Sequence, residues 1–412
     1  MRNHMRNAFV AAAAFLVPAA AFAGGYAIPN TNARDLGMAE SVVADQHGPS
    51  AVYGNSAALA GMEGFGVTAG AQAIYFRSTW SNSDPAANAV GSADTLKKLV
   101  LPPEAYVAYG SKVNGMAYGV GAGFTVVGGG FVFWPDDWQG RTRVFVVDRR
   151  VYNIILSGGI EPVKGIKLGL GGVYFRTTEK LKQGVGTAPA EIDVGTAGGA
   201  FSWTGSLEVQ PLQALPLKLG LTYRHQAVQY LTGQAHAGNI PPALVIRGGL
   251  FDQGITHELS FPNVLQVGAA YRVLPELLVA VAFHLGRFHL YKQDAFIGDQ
   301  GTQVFVDRQF RNQTVYRLGG EYSGLLPGLT VRGGFLRDNS PQPTDTVDPS
   351  LPDGSSWAFN LGASYDVTPK ITGSIGFEHA IFDRINTTGA NPFPGSYNTK
   401  ADLLGITLDW RL

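Results

Sequence analysis

The chain has 412 residues, which is long for one ordinary soluble domain, and its 31 basic side chains balance 31 acidic ones, so it offers no electrostatic footprint for nucleic acid. It contains no cysteine, which excludes disulfides and thiolate metal sites. Mean hydropathy is +0.04, and beyond the first two dozen residues no apolar run approaches the roughly 20 residues that a membrane helix needs.

Residues 1–23 read as a secretory signal. Arg2 and Arg6 supply the positive region, residues 8–20 are apolar, and Ala21-Phe22-Ala23 is a small-x-small cleavage site that leaves Gly24 as the first mature residue. The alternative, a membrane anchor, fits the short apolar run less well. Residues 24–64 show no sustained alternation and are rich in small and polar residues. Two readings stand for them: a compact plug inside a barrel, or a periplasmic tail.

From residue 65 onward the period changes. In 357–366 one face reads Trp, Phe, Leu, Ala, Tyr and the other Ala, Asn, Gly, Ser, Asp. Period two is the mark of a strand. The same rhythm predicts fourteen strands, at 66–77, 104–113, 117–127, 143–158, 166–181, 200–209, 217–230, 255–273, 277–292, 309–322, 329–338, 357–366, 371–378 and 400–412. Tight turns carrying Pro, Gly or Asn-Gly alternate with long polar connections. This is the pattern of a closed antiparallel transmembrane β-barrel, all-β, over residues 65–412, placed in a bacterial outer membrane. In the last strand Leu404, Ile406, Leu408 and Trp410 are expected to face lipid. Inward charges are expected at Arg224, Arg272, Arg317, Glu321, Arg332, Asp366, Glu378, Asp409 and Arg411, since on lipid-facing positions each would cost on the order of 2–4 kcal/mol at midplane.

Four stretches carry a resemblance. One is Val331-Arg332-Gly333-Gly334-Phe335, continuing through Asp338-Asn339-Ser340-Pro341-Gln342-Pro343 and Leu351-Pro352-Asp353 to Leu361-Gly362-Ala363-Ser364-Tyr365. The others are Leu259-Ser260-Phe261-Pro262-Asn263-Val264 with Tyr271-Arg272-Val273, Trp138-Gln139-Gly140-Arg141, and Leu36-Gly37-Met38-Ala39 with Gly54-Asn55-Ser56-Ala57-Ala58-Leu59. Together, in this order, they resemble the FadL/TodX family of outer-membrane transporters of hydrophobic compounds. The resemblance implies a fourteen-stranded barrel closed by an N-terminal hatch over 24–64, with Asn55, Ser56 and Ala57 as the hatch core. Ser56 stands where the family usually has Pro.

The resemblance also implies passive, diffusion-driven uptake of long-chain fatty acids or related hydrophobic compounds, with no cofactor and no bond chemistry. Its ligand pocket would include Gly24, Gly25, Tyr26 and Ile28. By position, Lys180, Lys182 and Arg311 would be partners for a carboxylate. The cargo would leave sideways at a kink in the third strand, lined by Phe124, Val126, Val127, Gly128, Gly129 and Gly130. Glycine within a strand marks a bulge or bend, although it also relieves crowding, and the Pro often seen in that strand of the family is absent here. The expected partners are a hydrophobic small molecule and outer-membrane lipid, with the chain acting as a monomer.

No G-x-S-x-G or H-E-x-x-H occurs, and the eight histidines show no ligand spacing. No enzyme or metal site is therefore expected. Other readings are uptake of aromatic hydrocarbons, a structural or adhesive barrel, an open aqueous porin, and an outer-membrane hydrolase, which would need a Ser/His pair near the rim.

Overall fold

A computed structural model describes residues 32–82, 91–186, 188–212, 214–242, 251–387, 391 and 393–412. Fourteen antiparallel strands close into one barrel. They are β1 (Gly64–Ser81), β2 (Pro103–Val113), β3 (Met116–Phe133), β4 (Val146–Val163), β5 (Ile166–Gly184) and β6 (Glu191–Val209). Next come β7, in two pieces (Leu217–Arg224 and Ala227–Gly238), and β8, also in two (Gln253–Phe261 and Val264–Leu274). β9 (Leu277–Gly286, extended by Gln293–Gly298) and β10 (Gln303–Asp307 and Gln313–Leu326) follow. β11 (Leu329–Asn339), β12 (Ser356–Thr368), β13 (Ile371–Phe382) and β14 (Ser396–Arg411) complete the wall. β14 pairs back onto β1 from Gly66↔Arg411 to Ser81↔Ser396, which closes the strand order into a ring.

The alternation read from the sequence sets the two faces. Trp357, Phe359, Leu361, Ile406 and Leu408 are exposed on the outside, whereas Asn360, Thr407 and Glu378 are buried inside. At the Asn114-Gly115 turn both residues have positive φ (51° and 83°), the backbone that joins two strands with matching twist. Several strands run further than the alternation predicts. β6 starts at Glu191 instead of 200, and β3 does not stop at 127 but continues to Phe133. Both extra stretches belong to the outer half, where lumen-facing residues are themselves apolar and alternation fades. Of the nine charges expected inside, Arg272, Asp366 and Arg411 are exposed at the short-turn rim.

Residues 32–62 lie in the lumen on the short-turn side. Asn32 caps the five-residue helix α1 (Ala33–Gly37) by accepting from Asp35 N at 2.8 Å. Three single 3₁₀ turns follow, Val42–Ala44, Pro49–Val52 and Ser56–Gly61. Wall side chains satisfy the backbone groups that such short turns leave open. Asn360 donates to Leu36 O (2.7 Å), Ser157 to Val52 O (2.9 Å) and Arg224 to Tyr53 O (2.7 Å), while Ala33 N donates to Thr407 Oγ1 (2.9 Å).

Candidate functional site: a sealed lower lumen, a hollow upper lumen and a displaced strand

The hatch core is held from the wall. Asn55 Nδ2 donates to Val43 O and Leu207 O, and its Oδ1 accepts from Ala57 N. Ser56 Oγ lies 2.8 Å from Ser206 Oγ, which also accepts from Ala57 N at 2.9 Å. Around the rest of the circumference, glycines take the hatch backbone. A Cβ at Gly119 would stand 2.1 Å from Leu59 O, one at Gly159 2.4 Å from Ser56 O, and one at Gly376 2.3 Å from Ala33 O. Such separations do not occur for real side chains, so the wall is close-packed against the hatch backbone. Arg34 pairs with Asp45 and Glu321 at 3.0 Å each, and Glu321 also takes Arg332 at 2.7 Å. Arg317 meets Glu40 at 3.2 Å. Several of the inward charges expected from the sequence therefore serve as hatch anchors.

Above the hatch the interior opens into a cavity of about 780 Å³. Its walls come from the outer ends of β4, β5 and β6, from the β9–β10 extension, and from the connection between β11 and β12. Val144, Leu181, Ile192, Phe251, Phe296 and Phe305 are among its apolar lining. Lys182 also lines it, paired with Glu191 (2.6 Å) and Asp193 (3.2 Å). Lys180 lies on the far side of this pair, half-exposed and 3.3 Å from Asp193. Arg311 is exposed and does not line the cavity; Arg308, three residues earlier, does. Gly24, Gly25, Tyr26 and Ile28 fall outside the described residues.

A buried ion network, invisible to spacing arguments, borders the cavity. His257 has no exposed surface and sits between Glu179 Oε2 (2.8 Å from Nδ1) and Asp294 Oδ1 (3.1 Å from Nε2), an arrangement that an imidazolium donating from both nitrogens satisfies. Arg149 closes onto Glu179 at 2.7 Å. Arg308 joins Asp294 (2.8 Å) to Asp348 (3.0 Å). The chain ties β4, β5, β8 and the β9 extension to the β11–β12 connection. Its contacting members lie 14 to 78 residues apart in the chain, so no local pattern could reveal them. Over the outer mouth, Trp134 stacks on Trp138 at 4.3 Å, and Trp80 packs on Phe393 at 4.9 Å.

β3 is the irregular element. Its register with β4 shifts between Val126 and Gly128, a bulge at Val127. Its pairing with β2 ends at Glu104↔Thr125. From Thr125 to Phe133 every residue is buried, so alternation is lost and both faces meet protein. Val126, Phe131 and Phe133 join one apolar cluster with Leu336, Ala358 and Ala380, whereas Val127 joins another with Leu231, Leu259 and Phe261. This part of β3 keeps its pairing with β4 as far as Phe133↔Val146 but has parted from β2, and its side chains are buried on both faces. The chain preceding β2 stays with β1 through Gln72 N to Pro102 O (3.1 Å) and Ile74 N to Val100 O (2.9 Å). Among the described residues, one backbone hydrogen bond links it to β3 above Thr125, Leu96 N to Phe133 O at 2.6 Å. The ladder is interrupted there. Phe124 stays in the wall, its ring 5.9 Å from Tyr152. Gly119 and Gly121 seat the hatch, while Gly128–Gly130 belong to the displaced segment.

A closed barrel with an internal hatch, an outer cavity and an interrupted wall defines an outer-membrane channel protein. The chain belongs to the outer membrane protein transport protein family (OMPP1/FadL/TodX), whose model matches residues 14–411. Among solved structures, a Pseudomonas aeruginosa FadL homologue aligns over 94% of this chain and 100% of its own, with TM-score 0.82 and 17% identity. The P. putida toluene transporter TodX aligns over 89% and 95%, with TM-score 0.67 and 14% identity. A 47 kDa outer membrane protein of Pasteurella multocida is 24% identical over 204 residues, 47% of this chain and 46% of that one, so the match spans about half the length of this relative. The family consists of transport channels, and the outer membrane is where the protein resides.

Proposed function

We propose that this protein admits hydrophobic molecules passively from outside the cell, with long-chain fatty acids or compounds of similar size as the first candidates, and releases them sideways into the membrane at the β3 displacement. The observation that carries the reading is continuity. The cavity shares Tyr291 and Leu351 with the apolar cluster that contains Val127, the residue bulging from β3. A molecule moving from cavity to bulge stays among apolar side chains. Each buried CH₂ is stabilised by about 0.8 kcal/mol relative to water, so this route avoids a large penalty. Leaving through the interrupted ladder keeps the apolar body out of the periplasm. A single chain suffices, because β14 pairs back onto β1 and completes the ring of strands without a second copy.

A second reading, uptake of aromatic hydrocarbons, is favoured by the aromatic lining: Phe251, Tyr291, Phe296, Phe305 and Phe393 all face the cavity. The test of the shared route is replacement of Gly128-Gly129-Gly130 by Val-Thr-Val, which favours regular strand pairing. Uptake of oleate and of toluene should fall to background in cells whose variant barrel is folded by heat-modifiable gel mobility. Full uptake of both by a folded variant would refute the sideways exit.

A further inference from the structure

Gln229 is out of place by the ordinary rules of burial. It lies on the second piece of β7 and has no exposed surface. Its register partner is Leu259, and Ala227 and Leu231 stand two residues to either side on the same face. All three belong to the apolar cluster that also holds Phe261 and the bulge residue Val127. Neither the oxygen nor the nitrogen of its amide has a partner among the described residues. A buried amide left without partners costs on the order of 1–3 kcal/mol or more. Thr177 on β5 is equally buried, and its hydroxyl has no partner among the described residues. It pairs with Gly198 of β6, where a Cβ would stand 2.5 Å from Tyr230 O and 2.9 Å from Leu231 Cδ2, on the strand that carries Gln229.

The charges around the cavity point the same way. Its lining carries four basic and four acidic side chains. Lys182 is matched by Glu191 and Asp193, Arg308 by Asp294 and Asp348, and Arg149 by Glu179. A carboxylate ion binding at Lys182, Arg308 or Arg149 would have to displace one of these partners and leave it uncompensated, and the fourth base, Arg143, is exposed and offers no dry site. A bare hydrocarbon would leave the Gln229 amide unpaired. A hydroxyl does neither, since it donates to the amide oxygen and accepts from the nitrogen.

We infer that Gln229, assisted by Thr177, reads the head of the cargo, and that the cargo is a neutral hydrophobic molecule bearing a hydroxyl, such as a long-chain alcohol or an alkylphenol. This rests on the transport reading above and, among its candidates, sets the fatty acids aside in favour of neutral compounds of similar size. The tail occupies the cavity or the bulge while the head meets the amide between them. Sites built to bond a hydroxyl discriminate against analogues that lack it.

The test compares initial uptake of decane, 1-decanol and decanoate by cells carrying the wild-type protein or the folded variants Gln229→Leu and Thr177→Val. The wild type should take up decanol fastest. Its decanol-to-decane ratio should fall about tenfold in Gln229→Leu, and by a smaller factor in Thr177→Val. Heat denaturation of the purified Gln229→Leu barrel should occur no lower than in the wild type, since the substitution removes unpaired groups. Decanoate as the preferred substrate, an unchanged ratio in Gln229→Leu, or a marked loss of heat stability, the signature of an amide already satisfied by internal water, would each overturn the assignment. Saturable uptake of none of the three would refute the transport reading itself, and this inference with it.

Discussion

The two halves of the lumen are built on opposite principles. In the lower half small wall residues meet a backbone: Gly119, Gly159, Gly376 and others leave no room for a side chain, and wall groups such as Ser206, Asn360 and Ser157 bond to the hatch. In the upper half large side chains face each other across open space, and one wall strand, parted from β2, is buried on both faces. Close packing resists change, because every displaced atom loses contacts. A hollow lined by apolar groups is instead ready to exchange its contents. The difference teaches that the hatch is packed as part of the scaffold, and on the proposed reading the cargo's space lies above it.

The largest expected effect is at the hatch anchors. Arg34→Ala leaves Asp45 and Glu321 each short of a partner in a buried setting, and the loss should be about 3–5 kcal/mol, read by urea unfolding of the purified barrel. Gly376→Val drives a side chain into Ala33 O and should cost about 1–3 kcal/mol, whereas Gly172→Val, whose Cβ would meet nothing within 4 Å, should be close to neutral. A heat-unfolding comparison of the two valine variants isolates packing from strand propensity. Equal effects would break the distinction between a seated hatch and an ordinary wall. The smallest effect is expected at the rim. Lys112 and Glu63 form a 2.8 Å pair, both well exposed, and Lys112→Ala should leave stability unchanged within error.

How far the sequence discloses this arrangement follows the same division. Strand number, closure and the lipid-facing residues of β12 and β14 are written in a period of two, which persists wherever one face meets lipid and the other a polar interior. It fails in β3 above Thr125 and in the first third of β6, where the inner face is itself apolar or half-buried. Gly128–Gly130 flag an irregular strand, but the sequence does not say that the strand parts from β2. The six glycines of β3 look alike in the sequence and divide in space, Gly119, Gly121 and Gly123 lying against the hatch and Gly128–Gly130 in the segment that has parted from β2. Lys182 reaches the cavity, whereas Arg311 is replaced there by Arg308, because the turn after Asp307 decides which side chain points inward. The Glu179–His257–Asp294 link and the isolation of Gln229 arise only when β5, β7, β8 and β9 close around the same space.

The most direct test of a fixed hatch below a working cavity uses the absence of native cysteine. Ser56 and Ser206 face each other with their hydroxyl oxygens 2.8 Å apart, so Ser56→Cys with Ser206→Cys should oxidise to a disulfide that tethers hatch to wall. Uptake of a hydrophobic cargo by cells carrying the oxidised double variant should equal that after reduction. Uptake abolished on oxidation and restored by reductant would show that the hatch must move, and would contradict the account.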